Sequence, residues 1–260
     1  GSVSEAEVAK FAALAGQWWD TNGVYGALHR LNYARGPFIR LAACDHFGPR
    51  DARALRPLQG LSLLEVGCGG GILSESLAHF GFDVTAIDAA EENTRAAAAH
   101  AAKNPLLRRA NLSYKAVTAE SLLPPDPDAE ADAPPEAREL FDVVVSSEVL
   151  EHVVAPRDFV RTLARLTRPG GLVVMSTLNR TAWSYALAVV AAEEVLGLAP
   201  RGAHDWQQFV TPEEMTLMAR AAGLRLKSLS GMTWNLRKTQ FELSPQDLSI
   251  NYIAAFTKPL

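Results

Sequence analysis

The sequence predicts an α/β fold, a doubly wound and mostly parallel sheet of seven strands with helices on both faces. Two observations carry this prediction. A short apolar stretch at 61–66 runs through a glycine-rich turn at 67–71 into a helical pattern, and a second apolar stretch at 82–87 ends on Asp88. Further apolar stretches then alternate with helical ones to the end of the chain, which is the rhythm of strand–helix–strand units.

The first 57 residues predict helices that precede the sheet. Ser4 followed by Glu7 is a capping-box pattern, and apolar residues then recur at helical spacing as far as Trp18. The stretch from Trp18 to Arg35 combines flat apolar side chains with polar tips. Such a stretch suits a lid over a ligand, and it equally suits a helix pair packed on the sheet. Composition leaves both interpretations open.

The rest of the chain predicts a cofactor-binding core at 58–180, an apolar helical insertion at 181–210 after strand five, and a closing helix with two strands at 211–260. With the N-terminal segment at 1–57 these parts form one domain over 1–260, a size that a single hydrophobic core supports. The expected strands are 61–66, 82–87, 111–117, 141–147, 172–177, 224–230 and 250–257, and expected helices follow the glycine turn and occupy 91–103, 156–168 and 211–222.

The overall composition narrows the partners and the compartment. A net charge of −4 and an isoelectric point near 5.9 give no broad basic field of the kind that binds a phosphate backbone, so we expect no nucleic-acid partner. Cys44 and Cys68 cannot form a disulfide framework, which suits a reducing compartment. No apolar run in the sequence reaches the roughly 18 residues of a membrane-spanning helix.

The glycine turn predicts a site for a nucleoside-containing ligand. Gly67 and Gly69 let the backbone approach a ligand where a Cβ atom would clash, and the following helix presents unpaired N–H groups. Asp88 comes 21 residues after Gly67, where an acidic side chain meets ribose hydroxyls. Glu65 would repel a pyrophosphate and attract an ammonium group, which favours S-adenosylmethionine over a dinucleotide. The plain alternative is a tight strand–helix corner.

Three polar residues after the fourth predicted strand are candidates for the chemistry. Glu148, Glu151 and His152 fall where ligands bind in open α/β sheets, outside the carboxyl ends of the strands. If a helix begins here, their spacing places all three on one face. Two carboxylates with an imidazole suit a divalent cation. Alternatively, the acidic residues only stabilise a helix N-terminus and His152 caps a neighbour.

These motifs resemble those of class I methyltransferases with a Rossmann-like fold, and in particular of the ubiquinone-biosynthesis O-methyltransferases, which methylate catechol hydroxyls on polyprenylated rings. The resemblance extends almost from end to end, and only the glycine loop is generic. The matching stretches are 11–20, 28–32, 36–40, 64–71, 146–153, 176–180, 202–206, 231–235 and 251–252.

The resemblance implies a cofactor site and a metal site. S-adenosylmethionine would be held by Arg35 at its carboxylate, Gly67 and Gly69 beneath it, Glu65 near its ammonium group, Asp88 at the ribose and Ser147 at the end of strand four. Mg²⁺ would be bound by Glu148, Glu151 and His152, which would then serve as the catalytic residues. Two departures from the family pattern are Thr118, where an adenine-binding acid is usual, and 234–238, which replaces Tyr-Asn-Pro.

The function implied is Mg²⁺-assisted O-methylation of a polyprenyl catechol in ubiquinone biosynthesis. A phenol with a pKa near 10 must lose its proton, either because a cation lowers that pKa or because His152 accepts the proton; the two roles of His152 compete. The alternatives are a small-RNA 2′-O-methyltransferase, which the acidic charge disfavours, and a non-catalytic scaffold for a lipid-linked complex, which the intact motifs disfavour.

The lipid tail of such an acceptor predicts a membrane contact. The segment 181–200 is rich in apolar residues and begins with Trp183 and Tyr185, so we expect it to lie in an anionic membrane surface; a buried helix covering the sheet edge is the alternative. The resemblance implies a peripheral location on the matrix side of the mitochondrial inner membrane, or on the cytoplasmic membrane face in a bacterium. A complex of ubiquinone-biosynthesis proteins is a further expected partner.

Overall fold

The computed structural model describes residues 2–108, 110–123, 140–185 and 205–260. One sheet runs through these residues in the strand order β3-β2-β1-β4-β5-β8-β6-β7. Its strands are β1 (Ser62–Val66), β2 (Asp83–Asp88), β3 (Leu112–Ala116), β4 (Phe141–Ser147), β5 (Thr167–Leu178), β6 (Arg225–Asn235), β7 (Gln240–Ser244) and β8 (Asn251–Thr257). The helices are α1 (Glu5–Ala13), α2 (Gly26–His46), α3 (Ile72–His79), α4 (Glu91–Ala101), α5 (Pro156–Leu166), α6 (Ala182–Ser184) and α7 (Pro212–Ala221), with 3-10 turns at Ala15–Gln17, Pro105–Leu107, Glu120–Leu122, Leu150–His152 and Trp206–Gln208.

The strand order creates a single edge where the polar ends of several strands meet. Strands β1 to β5 are parallel, whereas β8 pairs antiparallel with both β5 and β6. From β1 the strand order runs outward through β2 to β3, and from β4 it runs outward in the opposite direction to β5. The topological switch point of the sheet therefore lies between β1 and β4. Val66 is in register with Ile87, and Ser147 with Ser176. The carboxyl ends of β1, β2, β4 and β5 therefore lie side by side.

The core forms two layers because successive strand residues point to opposite faces. Leu63 and Leu64 of β1 are both fully buried, yet they belong to different apolar clusters, one on each side of the sheet. Helix α2 buries Ile39 in the first cluster, and α5 buries Leu163 in the second. These contacts confirm the predicted doubly wound, mostly parallel α/β fold.

All seven predicted strands are present, and the structure adds an eighth. Strand β6 continues five residues beyond the expected end at 230, as far as Asn235, and β7 returns beside it with Trp234 opposite Phe241. β7 lies at the sheet edge and its five residues are all half-buried. An edge strand of this kind lacks the continuous apolar run that identifies a central parallel strand, so its sequence gives a weaker signal.

A third apolar cluster joins the N-terminal segment to the glycine turn. Trp18 and Tyr25 are buried together with Ile72, the first residue of α3. Helix α2 is further fastened to α3 because Asn32 Nδ2 donates to the backbone carbonyl of Ile72 at 2.8 Å. The segment predicted as a lid or a helix pair thus lies directly on the turn between β1 and α3.

The apolar insertion predicted at 181–210 lies mostly outside the described residues, and so does most of the segment 181–200 that is predicted to contact a membrane. Its first turn is described: Thr181 Oγ1 accepts from the backbone N–H of Ser184 at 3.0 Å, and Ser184 completes a capping box. Trp183 is 67% exposed there. In the part of the chain that the structure describes, no helix has both the length and the hydropathy needed to cross a bilayer.

Candidate active site

The glycine turn is held between two side chains that leave no room for a Cβ atom. Gly67 and Gly69 have φ angles of 77° and 51°, in the left-handed region that favours glycine. A Cβ atom on Gly67 would lie 2.4 Å from Val149 Cγ2, and one on Gly69 would lie 2.5 Å from Trp18 Cη2. The backbone of the turn is therefore in direct contact with both the N-terminal segment and the residues after β4.

Asp88 fixes the turn from the end of β2. Its carboxylate accepts hydrogen bonds from the backbone N–H groups of Gly69 and Ala90, both at 2.9 Å, and from Asn93 Nδ2 at 3.1 Å. Asn93 Oδ1 in turn accepts from Trp18 Nε1 at 2.9 Å. Burial raises the pKa of Asp88. Because a carboxylate has about four acceptor positions, these contacts are compatible with the predicted ribose bond, which stays a prediction.

Arg35 and Glu65 lie buried near each other at the end of β1. Burial raises the pKa of Glu65 to about 7, although Ser74 Oγ donates to its carboxylate at 2.5 Å and the charge of Arg35 also opposes the rise. Burial lowers the pKa of Arg35, while the charges of Glu148 and Glu65 act in the opposite direction. A buried carboxylate with a raised pKa is poised to receive a cationic group, which agrees with the predicted ammonium contact.

A chain of hydrogen bonds connects Arg35 to Glu148. Arg35 Nη1 donates to Ser147 Oγ at 3.0 Å, the hydroxyls of Ser147 and Ser176 are 2.7 Å apart, and Ser176 Oγ donates to Glu148 Oε1 at 2.7 Å. Each hydroxyl has one proton, so Ser147 donates to Ser176. Asn251 Nδ2 donates to the other oxygen of Glu148 at 3.1 Å. The structure thus connects the predicted cofactor residues to the first predicted metal ligand.

The two glutamates after β4 are rigidly placed. Glu148 has a φ of 57°, a strained conformation for a residue other than glycine and one that occurs preferentially at functional sites. Glu151 is buried and accepts from Thr177 Oγ1 at 2.7 Å. Burial raises the pKa of Glu151, and the charge of Glu148 raises it further. The charge of Glu148 therefore opposes a second negative charge on Glu151.

His152 does not join the two glutamates in this conformation. The helix expected to begin at 148 is replaced by the 3-10 turn Leu150–His152, so the three side chains do not share a helix face. His152 Nδ1 instead lies 2.8 Å from Glu7 Oε2, and its ring meets that of Phe11 edge-on at 5.2 Å. Among the described residues, no three His, Cys, Asp or Glu side chains are grouped closely enough to hold a metal ion.

A cavity of about 980 Å³ opens above these groups. Both glycines, Asp88, Arg35, Glu65 and Ser147 line it, as do Glu148, Glu151 and His152. Thr118, the departure from the usual adenine-binding acid, lies in the wall, and Glu120 lies there two residues later. Glu120 Oε1 accepts from the backbone N–H of Ser2 at 2.8 Å. The remaining wall comes largely from the apolar side of the N-terminal segment: Val3, Val8, Phe11, Leu14, Trp18, Val24, Tyr25, Leu28 and Leu31.

Sequence patterns assigned no role to several residues that the structure brings into the site. Ser176, Thr177 and Asn251 fix the two glutamates, and Asn93 connects Asp88 to Trp18. Ser176 and Thr177 belong to the matching stretch 176–180, and they stand at the carboxyl end of a predicted strand, where ligands bind in such sheets. Asn251 belongs to the matching stretch 251–252, whereas Asn93 lies outside every matching stretch and its role depends on how Trp18 packs against it.

The fold and the site together define a class I methyltransferase. The "Methyltransferase domain" family model matches residues 39–229. A solved structure with the same fold is magnesium protoporphyrin IX methyltransferase from Synechocystis PCC 6803 with bound SAH, at a TM-score of 0.57 and 16% identity over 92% of this chain and 87% of that one.

The sequence comparison identifies the family more closely. The chain is 43% identical to the ubiquinone biosynthesis O-methyltransferase of Parvibaculum lavamentivorans over 97% of its length and 93% of the relative's. It is 42% identical to the mitochondrial ubiquinone biosynthesis O-methyltransferase of Arabidopsis thaliana over 99% of its length and 75% of the relative's. The chain therefore belongs to the ubiquinone biosynthesis O-methyltransferases, which confirms the resemblance drawn from its motifs.

Replacement of Glu65 by Gln should change how stability depends on pH. The folded chain holds the Glu65 proton up to a pKa of about 7, whereas the ordinary value is 4.5. Between these values the native state binds more protons, so the free energy of unfolding falls as pH rises. Glu65→Gln should remove that fall and gain about 2 kcal/mol relative to the parent between pH 5 and pH 8. Urea unfolding of both proteins at pH 5 and pH 8 measures this difference in the free energy of unfolding. If that free energy changes with pH to the same extent in both proteins, the prediction is contradicted.

Replacement of Asp88 by Ala should weaken S-adenosylmethionine binding by about 1.5–3 kcal/mol, the scale of hydrogen bonds to a charged group. Part of the loss would come from the glycine turn, because Gly69 loses its acceptor. Calorimetric titration with a cofactor analogue that lacks the ribose hydroxyls separates the two contributions. The analogue should lose much less affinity on Asp88→Ala than the cofactor does. Equal losses would show that Asp88 acts through the turn and not at the ribose.

Proposed function

We propose that the chain transfers the methyl group of S-adenosylmethionine to a catechol hydroxyl of a polyprenylated ring in ubiquinone biosynthesis. The observation that carries this proposal is the continuity of the site: the predicted cofactor residues are connected, through Ser147 and Ser176, to two fixed carboxylates on the wall of one cavity. A volume of about 980 Å³ is at the upper end for ligand pockets and gives room for cofactor and acceptor together.

Alignment and deprotonation of the acceptor oxygen are the main tasks of the protein. The sulfonium already supplies an electrophilic methyl group and a good leaving group, so holding the oxygen at a reactive distance provides much of the acceleration. Arg35 and Glu65 would hold the amino-acid end of the cofactor, and Asp88 its ribose. The acceptor ring would lie between Glu148 and His152, which line the same cavity as the predicted cofactor residues.

Two of the three predicted metal ligands, the carboxylates of Glu148 and Glu151, are chemically suited to a divalent cation. Glu148 and Glu151 are held by Ser176, Asn251 and Thr177, and the charge of Glu148 raises the pKa of its neighbour. A cation between them would relieve this repulsion, and these two residues would hold Mg²⁺. When bound, the ion would act as a Lewis acid toward a catechol oxygen. His152, beside Glu7, does not meet the pair.

His152 is the residue that would accept the phenolic proton. Glu7 Oε2 lies 2.8 Å from its Nδ1, an arrangement in which a carboxylate orients an imidazole and favours a proton on that nitrogen. The other ring nitrogen, Nε2, would then take the proton of the acceptor. This division of roles, with cation binding by the glutamates and proton transfer by His152, removes the competition between the two predicted roles of the histidine.

The proposed acceptor also determines the expected partners and location. A polyprenyl tail resides in a bilayer, so we infer peripheral association with an anionic membrane surface and contact with other proteins of the pathway. One relative is bacterial and another is a plant mitochondrial protein. The corresponding sites are the cytoplasmic face of the bacterial membrane and the matrix side of the mitochondrial inner membrane.

An acceptor comparison tests the proposed function. The chain should transfer label from S-adenosylmethionine to a short-chain prenyl dihydroxybenzoate, and mass spectrometry should locate one methyl group on a ring oxygen. A small-RNA duplex should remain unlabelled, because the chain carries a net charge of −4 and several carboxylates line the cavity beside an otherwise largely apolar wall. Label on the RNA alone would favour 2′-O-methylation of RNA. Label on neither, with intact cofactor binding, would favour a scaffold.

Chelation tests the proposed cation. EDTA should abolish turnover and leave S-adenosylmethionine binding unchanged in calorimetry, because the two glutamates face the acceptor. Glu151→Gln should reproduce this loss, and added Mg²⁺ should not restore it, whereas Glu213→Gln on the surface of α7 should behave as the parent. Full activity in EDTA would rule out the cation, and proton transfer to His152 would then act without it.

A further inference from the structure

The hairpin that joins β6 to β7 carries exposed apolar side chains beside the mouth of the cavity. Leu236 at its tip is 82% exposed and Trp234 is 41% exposed, while Tyr33 on the neighbouring helix α2 is 62% exposed. Single exposed apolar residues are ordinary, but a group that includes two aromatic rings marks an interaction surface. We therefore expect the hairpin tip at this edge of the sheet to contact a partner.

The hairpin tip and α2 lie together around the cavity. Strand β7 packs against α2, and a second cavity of about 720 Å³ is lined by Arg30 and Tyr33 from the helix and by Lys238 and Thr239 from the tip. Arg30, Trp234 and Thr239 also line the main cavity. We call the group Arg30, Tyr33, Trp234, Leu236, Arg237 and Lys238 the hairpin surface. Trp234 and Thr239 are exposed and also line the main cavity, so the hairpin surface lies where that cavity meets solvent.

The charge of the hairpin surface is opposite to that of the whole chain. Arg30, Arg237 and Lys238 contribute three cations, of which Lys238 is paired with Glu242 at 2.6 Å. The surface thus has a positive balance on a protein with a net charge of −4. Aromatic and aliphatic side chains interleaved with Arg and Lys are typical of surfaces that lie at the headgroup level of a bilayer, and anionic lipids attract such cations.

The tip is held in a defined shape before it meets a partner. Asn235 Oδ1 accepts from the backbone N–H groups of Arg237 and Lys238, at 3.0 and 3.1 Å, and Asn235 Nδ2 donates to Glu242 at 2.7 Å. Trp234 packs edge-on against Phe241 with ring centroids 5.2 Å apart. Because these bonds fix the backbone of the turn, only the side chains of Leu236 and Arg237 would be ordered on docking, which lowers its entropic cost.

We propose that the hairpin surface docks on an anionic phospholipid bilayer and brings the mouth of the cavity to the membrane. The proposal rests on the proposed function, because an acceptor with a polyprenyl tail would reach the cavity from the bilayer. It adds to the insertion predicted at 181–210 a second contact made by described residues. Leu236 and Trp234 would enter the headgroup region, and Arg30 and Arg237 would face lipid phosphates.

Vesicle cosedimentation with a matched pair of variants tests this proposal. The test variant is Leu236→Asp with Arg237→Glu at the hairpin tip, and the control is Leu226→Asp with Arg225→Glu at the opposite end of β6, where both side chains are also exposed. Vesicles are phosphatidylcholine with or without one third phosphatidylglycerol. The parent and the control should bind the anionic vesicles, and the hairpin variant should bind at least tenfold more weakly.

Activity separates this proposal from the proposed function. The hairpin variant should methylate a short-chain catechol in solution at the parental rate, which also shows that it is folded, and should turn over a long-tailed acceptor in anionic vesicles at least tenfold more slowly. Parental vesicle binding by the hairpin variant would overturn the docking proposal, as would equal binding of the parent to neutral and anionic vesicles. A parent that binds vesicles yet methylates no catechol would overturn the proposed function and leave the docking result standing.

Discussion

The structure depends on three ionisable side chains buried at the carboxyl end of β1 and β2. Arg35, Glu65 and Asp88 each lose most of their contact with water, and burial is the largest influence on the pKa of each. Buried charges are costly unless they are paired and hydrogen-bonded. Ser74, Ser147 and Gly69 supply some of these bonds. A zwitterionic cofactor would supply the rest, with its carboxylate at Arg35 and its ammonium group at Glu65.

The same constraint explains why the N-terminal segment packs where it does. A site that stabilises charge needs low access to water, and the segment excludes water by placing Trp18 on the glycine turn and Glu7 beside His152. Trp19 Nε1 donates to the backbone carbonyl of Gly70 at 2.9 Å, and a ring nitrogen of His29 lies 2.8 Å from the carbonyl of Trp18. The polar tips that the sequence shows in this segment thus bind the backbone of the site, and its apolar rings form the cavity wall.

Local patterns predicted the fold and the cofactor end of the site, because strand, glycine turn and Asp88 follow each other within 28 residues of the chain. The acceptor end was harder. The left-handed backbone of Glu148 and the 3-10 turn Leu150–His152 depend on contacts with β5 and β8, which lie far along the chain. Spacing therefore predicted a helix face that does not form. Strand β7 was missed because an edge strand is only half-buried and lacks a continuous apolar run.

Proton release on cofactor binding tests most directly whether the buried charges await a cationic ligand. At pH 6.5 the ammonium group of S-adenosylmethionine is already charged, since α-amino groups have pKa values of about 7.7–8.0, while Glu65 with a pKa of about 7 is largely protonated. Calorimetric titration in two buffers of different ionisation enthalpy should show that binding releases a substantial fraction of a proton from the parent and little or none from Glu65→Gln. No release from the parent, or equal release from both proteins, would contradict the account.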